Sequence, residues 1–332
     1  MLALRILLAT AMLALAGTCL AAVRIIPQES GVKVRLRGIS AVSTDVAWAS
    51  GREGTVLRTV DGGKRWQVFK VPGAEALDFR DVEGFDAESA VVLSIGTGET
   101  SRVYRTEDAG KTWALTLQNR DPRGFFDCMA FEGERGWMLG DPVDGHFQIH
   151  ETHDGGRSWR LLADGPKAVE GEAAFAASGT CIAVTDKTIA IATGGQTARA
   201  HVRNAKNMEW VASKPARIEK GSPRGLFSIA RSGSKALMVG GDYEKTTATG
   251  LSATLSKTGL KQAKPPRGYR SGVACANDAL PCIATGPSGT DLWNGRNWNV
   301  ISDQGYDAID LVDGVGWASG DAGRLARIEI SE

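Results

Sequence analysis

The sequence of 332 residues has almost no net charge: 39 basic side chains against 38 acidic ones leave a formal charge of +1. Such a balance offers no global field to a nucleic-acid backbone or an anionic membrane, so neither is expected as a partner of the folded chain. Histidine is scarce, and His146, His150, His153 and His201 match no zinc spacing. The chain has no nucleophile elbow, phosphate loop or dinucleotide fingerprint, so no metal and no cofactor are expected. A helical hydrophobic period is missing too, as is any linker long enough to separate a second domain.

What the chain does contain is a repeat. TVDGGKRW (residues 59–66) returns as TEDAGKTW (106–113) and THDGGRSW (152–159), at a period of 47 and then 46 residues. A period of that size, with a turn signature and a Trp in every copy, indicates one small antiparallel sheet per repeat. Asp61, Asp108 and Asp154, with Gly63, Gly110 and Gly156, suit a sharp turn, because Gly tolerates positive φ and an Asp side chain accepts from nearby amides. Trp66, Trp113 and Trp159 then open the returning strand and cover the inner face of the hairpin. These Asp residues therefore read as structural rather than catalytic.

Weaker copies extend the count. Trp298 follows Asn294-Gly295-Arg296-Asn297, Trp210 follows Asn204-Ala205-Lys206-Asn207, and LSKTGLKQ (255–262) supplies a Trp-less copy. An independent register, an apolar strand ending in a Gly-rich turn, occurs seven times, at 46–54, 90–98, 136–145, 189–195, 236–241, 282–289 and 316–323. The last copy ends the chain before any octet, while residues 32–36 near the other end alternate apolar and charged side chains without a repeat of their own. The expected fold is all-β: a seven-bladed β-propeller of four-stranded antiparallel blades over residues 31–330, with the N-terminal strand at 32–36 closing the last blade.

Residues 1–22 have an early cation, Arg5, an apolar stretch at 6–16 and a small-residue exit at Ala21-Ala22. They read as a secretory signal peptide, which implies a periplasmic or secreted protein; uncleaved, the segment would be a membrane anchor and the chain's one link to a bilayer. Four cysteines remain, Cys128, Cys181, Cys275 and Cys282, an even number for an oxidising compartment. Cys275 and Cys282 flank a turn, and Cys128 and Cys181 fall on innermost strands of successive repeats. Two disulfides and four buried thiols are the alternatives.

In a propeller the octets emerge on one face, and the Gly-rich turns and inter-blade crossings on the other. The crossings contain Arg37-Gly38, Arg123-Gly124, Arg224-Gly225 and Arg267-Gly268, with Arg270 and Asp127 beside them. Four equivalent guanidiniums around one mouth would bind a carboxylate; alternatively, each pairs with a neighbouring acid and pins adjacent blades. Asp141, Asp144 and His146 share one turn, read as turn chemistry rather than a cation site.

The octet resembles the Asp-box of the bacterial sialidase/neuraminidase repeat superfamily. That resemblance implies a catalytic alternative, an exo-acting glycosidase on an acidic sugar, with Tyr243, Tyr269 or Tyr306 as nucleophile, Asp141 or Asp144 as carboxylate partner, and Arg123, Arg224 and Arg267 as clamp. The aromatic-Arg-Ile-Pro motif of that superfamily is reduced here to Arg24-Ile25-Ile26-Pro27. Over most of its length, in RDPRGFFDCMAF (120–131), GDPVDG (140–145), GEAAFAASGT (171–180), GYRSGVA (268–274) and GPSGTD (286–291), the chain is similar to secreted bacterial propellers related to the photosystem II stability/assembly factor family. That resemblance implies a non-catalytic, monomeric binding or assembly scaffold. Its partner would be a protein or an acidic glycan, held at an Arg-lined mouth.

Overall fold

The computed structural model describes residues 22–185, 187–204, 208–276 and 279–331. Residues 1–21 of the expected signal segment and part of the turn before Trp210 lie outside them. The strands arrange as seven four-stranded antiparallel blades, the fifth extended at its inner edge by the short pieces Gly194–Gly195 and Glu172–Ala173. Blade 1 runs outward from the axis as Leu36–Ala41, Ala47–Gly51, Thr55–Thr59 and Gln67–Lys70. The inner strands of blades 2 to 7 are Phe79–Gly84, Phe126–Glu132, Ile182–Val184, Arg224–Ser232, Gly272–Cys275 and Ala308–Val312. Within blade 1 the second strand is wholly buried and the outermost largely exposed, as expected for sheets stacked face to face around a ring. Trp48, Val56, Phe79, Val82, Val92 and Tyr104 fill one such interface, between blades 1 and 2.

An N-terminal strand closes the last blade as expected, but it is an earlier one than residues 32–36. Ala22–Gln28 pairs antiparallel with Leu325–Ser331 from Ala22↔Ser331 to Gln28↔Leu325 and completes blade 7. Residues 32–35 form no strand, and Leu36 already belongs to the inner strand of blade 1. The reason is reach: a chain leaving the outer edge of one blade must cross to the axis before the next begins, as residues 71–78 do between blades 1 and 2. Residues 29–35 are that crossing, so the propeller takes in Ala22–Gln28, upstream of the expected bound at Gly31.

The octets are hairpin fasteners. Thr59 Oγ1 accepts the Gly63 amide at 2.9 Å and Asp61 Oδ1 accepts the Arg65 amide at 3.0 Å. Thr106, Asp108, Thr152 and Asp154 repeat both bonds, and there the hydroxyls of Thr112 and Ser158 also donate to the Asp, at 2.7 and 2.6 Å. Arg65 has no hydroxyl and the first octet lacks that bond. Gly63, Gly110 and Gly156 take φ of 83 to 85°, the left-handed region open to glycine.

Both cysteine pairs are bridged, which removes the free-thiol alternative. Cys275 and Cys282 face each other across the first two strands of blade 6. Cys128, on the inner strand of blade 3, joins Cys181 at the entry to blade 4.

Candidate functional site

The crossings pack on the turns between second and third strands: Gly54 N donates to Leu77 O and Gly98 N to Gly124 O. One face therefore gathers both, and the octets occupy the other. Four inner strands share a β-bulge, at Leu36/Gly38, Phe79/Asp81, Phe126/Cys128 and Leu226/Ser228. The bulge lifts one residue out of each ladder: Arg37, Arg80, Asp127 and Phe227.

The four Arg-Gly pairs are not equivalent. Arg123, Arg224 and Arg267 belong to crossings or their junction with the inner strand, and each meets two carboxylates. Arg123 pairs with Asp121 at 2.8 Å and Asp144 at 2.7 Å. Arg224 pairs with Asp242 at 2.9 Å and with Glu219, and Arg267 with Asp303 at 2.5 Å and Asp291 at 3.5 Å. Arg270, fully buried, donates from Nε to Asp291 at 2.7 Å. Each of these pairs lies within one blade and its flanking crossings, so the acids satisfy the guanidiniums without pinning adjacent blades, and planar forks so satisfied have little left for a ligand. Arg37-Gly38 sits instead in a strand bulge, facing the axis.

Arg37 is only 8% exposed, makes no ion pair among the described residues, and leaves Nε without a partner. Its Nη2 donates to Ala177 O at 3.2 Å. Burial, with repulsion from Arg80, pushes its guanidinium down to about 10. Arg80 donates to Ala176 O at 2.8 Å and to Asp78 at 3.1 Å. Arg35 grips Asp307 through two bonds of 2.6 and 2.8 Å. Asp127 is buried with Oδ2 unpartnered, and burial together with Asp141 drives its carboxyl well above the usual range. Asp141 is pushed up to about 6 by burial while accepting the Ala174 amide at 3.0 Å. Asp144, exposed, is held low by Arg123.

Sequence reasoning did not single out residues 174–180 as a structural unit. Besides Ala176 and Ala177, Ser178 donates to Ser271 O at 2.7 Å, Thr180 and Ser228 share a 2.6 Å hydroxyl bond, and Phe175 stacks on Phe227 at 3.9 Å. One short segment thus touches the inner strands or their approaches in blades 1, 2, 3, 5 and 6, and crosses the central opening. Its composition, Ala-Phe-Ala-Ala-Ser-Gly-Thr, was the available signal: small side chains fit where several backbones converge.

The three tyrosines are scattered in environment. Tyr243 is 46% exposed, against 5% for Tyr269 and 3% for Tyr306. Burial raises the phenols of Tyr269 and Tyr306, the opposite of nucleophile activation. Among the described residues no carboxylate hydrogen-bonds any of the three, and no group of His, Cys, Asp or Glu is arranged to hold a metal. Glu172, on the same face, is buried; burial alone would raise it, yet bonds from His201, Arg199 and Thr193 outweigh that and hold it at about 2.

No protein-family model matches the chain, and no curated protein is detectably similar in sequence. Solved structures are similar. YCF48 bound to D1 peptide is 14% identical with a TM-score of 0.66, over 93% of this chain and 97% of that one. YCF48 from Cyanidioschyzon merolae is 18% identical with a TM-score of 0.58, over 93% and 99%. At these identities the shared property is the fold, and the chain has the seven-bladed propeller architecture of YCF48 along nearly its whole described length.

Proposed function

We propose that this protein is an exported, non-catalytic propeller that binds a protein partner at its axial mouth, with Arg37 and Arg80 engaging a carboxylate of that partner. The observation that carries the reading is Arg37: a buried guanidinium that makes no ion pair among the described residues and feels Asp307 and Asp78 only at longer range. Leaving a charge desolvated and unpaired costs several kcal/mol by general estimates, and an arriving carboxylate would relieve both that cost and the repulsion from Arg80. The bound peptide in the YCF48 complex supports a protein as the partner, and the two disulfides support an oxidising compartment.

The test places a photo-crosslinker at Tyr243 on the mouth face or at exposed Val60 on the octet face, in a cell-envelope extract. A discrete product from Tyr243 alone, lost in Arg37→Gln/Arg80→Gln, is expected. Equal products from both faces, or a Tyr243 product that survives the double substitution, would refute the site.

A further inference from the structure

We infer that residues 174–180 are an internal plug that occupies the axial anion site, stapled in place by the Cys128–Cys181 bridge; the inference rests on the mouth-site reading above. The guanidiniums of Arg37 and Arg80 are capped by two successive backbone carbonyls, Ala177 O and Ala176 O, so the chain's own peptide groups sit where a ligand's acceptor oxygens would. A partner carboxylate reaches those donors only by displacing the plug.

The segment is built to move as a unit. Ala174, Ala176, Ala177 and Ser178 are each less than a tenth exposed, yet their side chains are so small that burial contributes little apolar grip. Its one large anchor is Phe175, whose ring lies over the backbone of Gly194 and Gly225; a Cβ on either glycine would come within 2.5 or 2.8 Å of that ring. Gly179, at φ 79°, is backed against the Asp81 carboxylate and provides a hinge position open to few other residues.

Both ends are tied. Upstream, Glu172 is locked by Arg199, His201 and Thr193. Downstream, Cys181 is covalently joined to the inner strand of blade 3. A segment with little apolar grip, held across its length by single polar bonds and at its ends by firm anchors, makes the covalent anchor the natural control on opening, because local opening is drawn from the segments with the fewest apolar contacts.

Arginine modification by phenylglyoxal, read residue by residue by mass spectrometry, tests the plug together with amide exchange of residues 174–180. In Cys128→Ser/Cys181→Ser, Arg37 is expected to react about tenfold faster and the plug amides to exchange faster, with exposed Arg123 unchanged. Cys275→Ser/Cys282→Ser, which leaves the staple intact, is expected to keep Arg37 protected. Phe175→Ala, which retains both bridges, should also speed Arg37 modification and guards against a staple variant that fails to fold. A hexaglutamate peptide should bind the opened variants more tightly than the intact protein. Equal Arg37 reactivity in intact and opened proteins would overturn the plug, whereas crosslinking indifferent to Arg37→Gln/Arg80→Gln would overturn the mouth reading instead.

Discussion

Trp66 Nε1 donates to Gln28 Oε1 at 3.1 Å, joining the last residue of the first octet to the last residue of the closing strand. The same Gln28 side chain lies where a Cβ on Gly63 would fall, 2.1 Å from Nε2. The first octet therefore does two jobs: it turns a hairpin and it secures the ring.

Gln28→Ala should lower unfolding free energy by about 1–2 kcal/mol, the cost of an orphaned indole N–H. Removing residues 22–28 should do far more, since it strips a seven-pair ladder and exposes the edge of Leu325–Ser331. Urea unfolding followed by Trp fluorescence checks both; a truncated protein as stable as the intact one would show that the ring does not need its closure.

Gly225→Ala places a methyl 2.5 Å from the Gly194 Cα and 2.8 Å from the Phe175 ring. Neither backbone can yield without shifting a strand, so a loss of about 1–3 kcal/mol is expected from overpacking. Gly73→Ala is the control for space, because nothing lies within 4 Å of its Cβ position, although its φ of 74° carries its own strain. The larger loss at Gly225 is read by thermal denaturation.

Acidity acts on this fold from two sides. Burial lifts Asp81 from 3.8 to about 8, so the folded protein keeps a proton that the unfolded chain releases. Its contribution is full below about pH 4 and is lost as pH rises towards 8, at up to about 1.4 kcal/mol per pH unit. Asp141, at about 6, adds to the early part of that decline. Glu172 behaves oppositely: held at about 2, it stabilises above its unfolded value of 4.5 and fails as pH falls towards 2. The melting temperature should peak near pH 4–5, and Asp81→Asn should flatten its fall between about pH 5 and 8. A wild-type melting temperature that is level across that range would contradict the buried-carboxyl account.

Arg270 and Arg123 should separate structural from exposed pairing. Arg270→Ala leaves buried Asp291 with only the longer 3.5 Å contact to Arg267, at a cost of about 3–5 kcal/mol. Arg123→Ala, at a solvated pair, should not measurably change the urea midpoint, because exposed ion pairs are screened. If the Arg123 change destabilises as much as the Arg270 change, the ordering by burial is wrong.

The blades were legible because their signals are local. An octet's turn needs Asp and Gly at fixed offsets and a strand needs its own apolar run; the octet copies count six, and the apolar strands ending in Gly-rich turns count seven, whatever the packing. Cys275 and Cys282 flank a local turn, so their bridge was open to the sequence as one of two alternatives, whereas Cys128 and Cys181 come from different blades and only the folded ring brings them together. The arginines misled at one position. Arg37-Gly38 and Arg123-Gly124 look alike as dipeptides, but one falls in a strand bulge and the other in a crossing, and only the ladder register separates them.

From the octet spacing and the Gly-rich turns alone, the sequence determined the all-β class, the blade number and the structural role of Asp61, Asp108 and Asp154. Tertiary structure alone decided that Ala22–Gln28 closes the ring, that Arg123, Arg224 and Arg267 are satisfied by neighbours while Arg37 is not, and that residues 174–180 cross the axis. The physical reason is range: turns and strand patterns are set by residues a few positions apart, whereas burial, ion pairing and occupancy of the central opening depend on groups from different blades that meet only when the ring is complete.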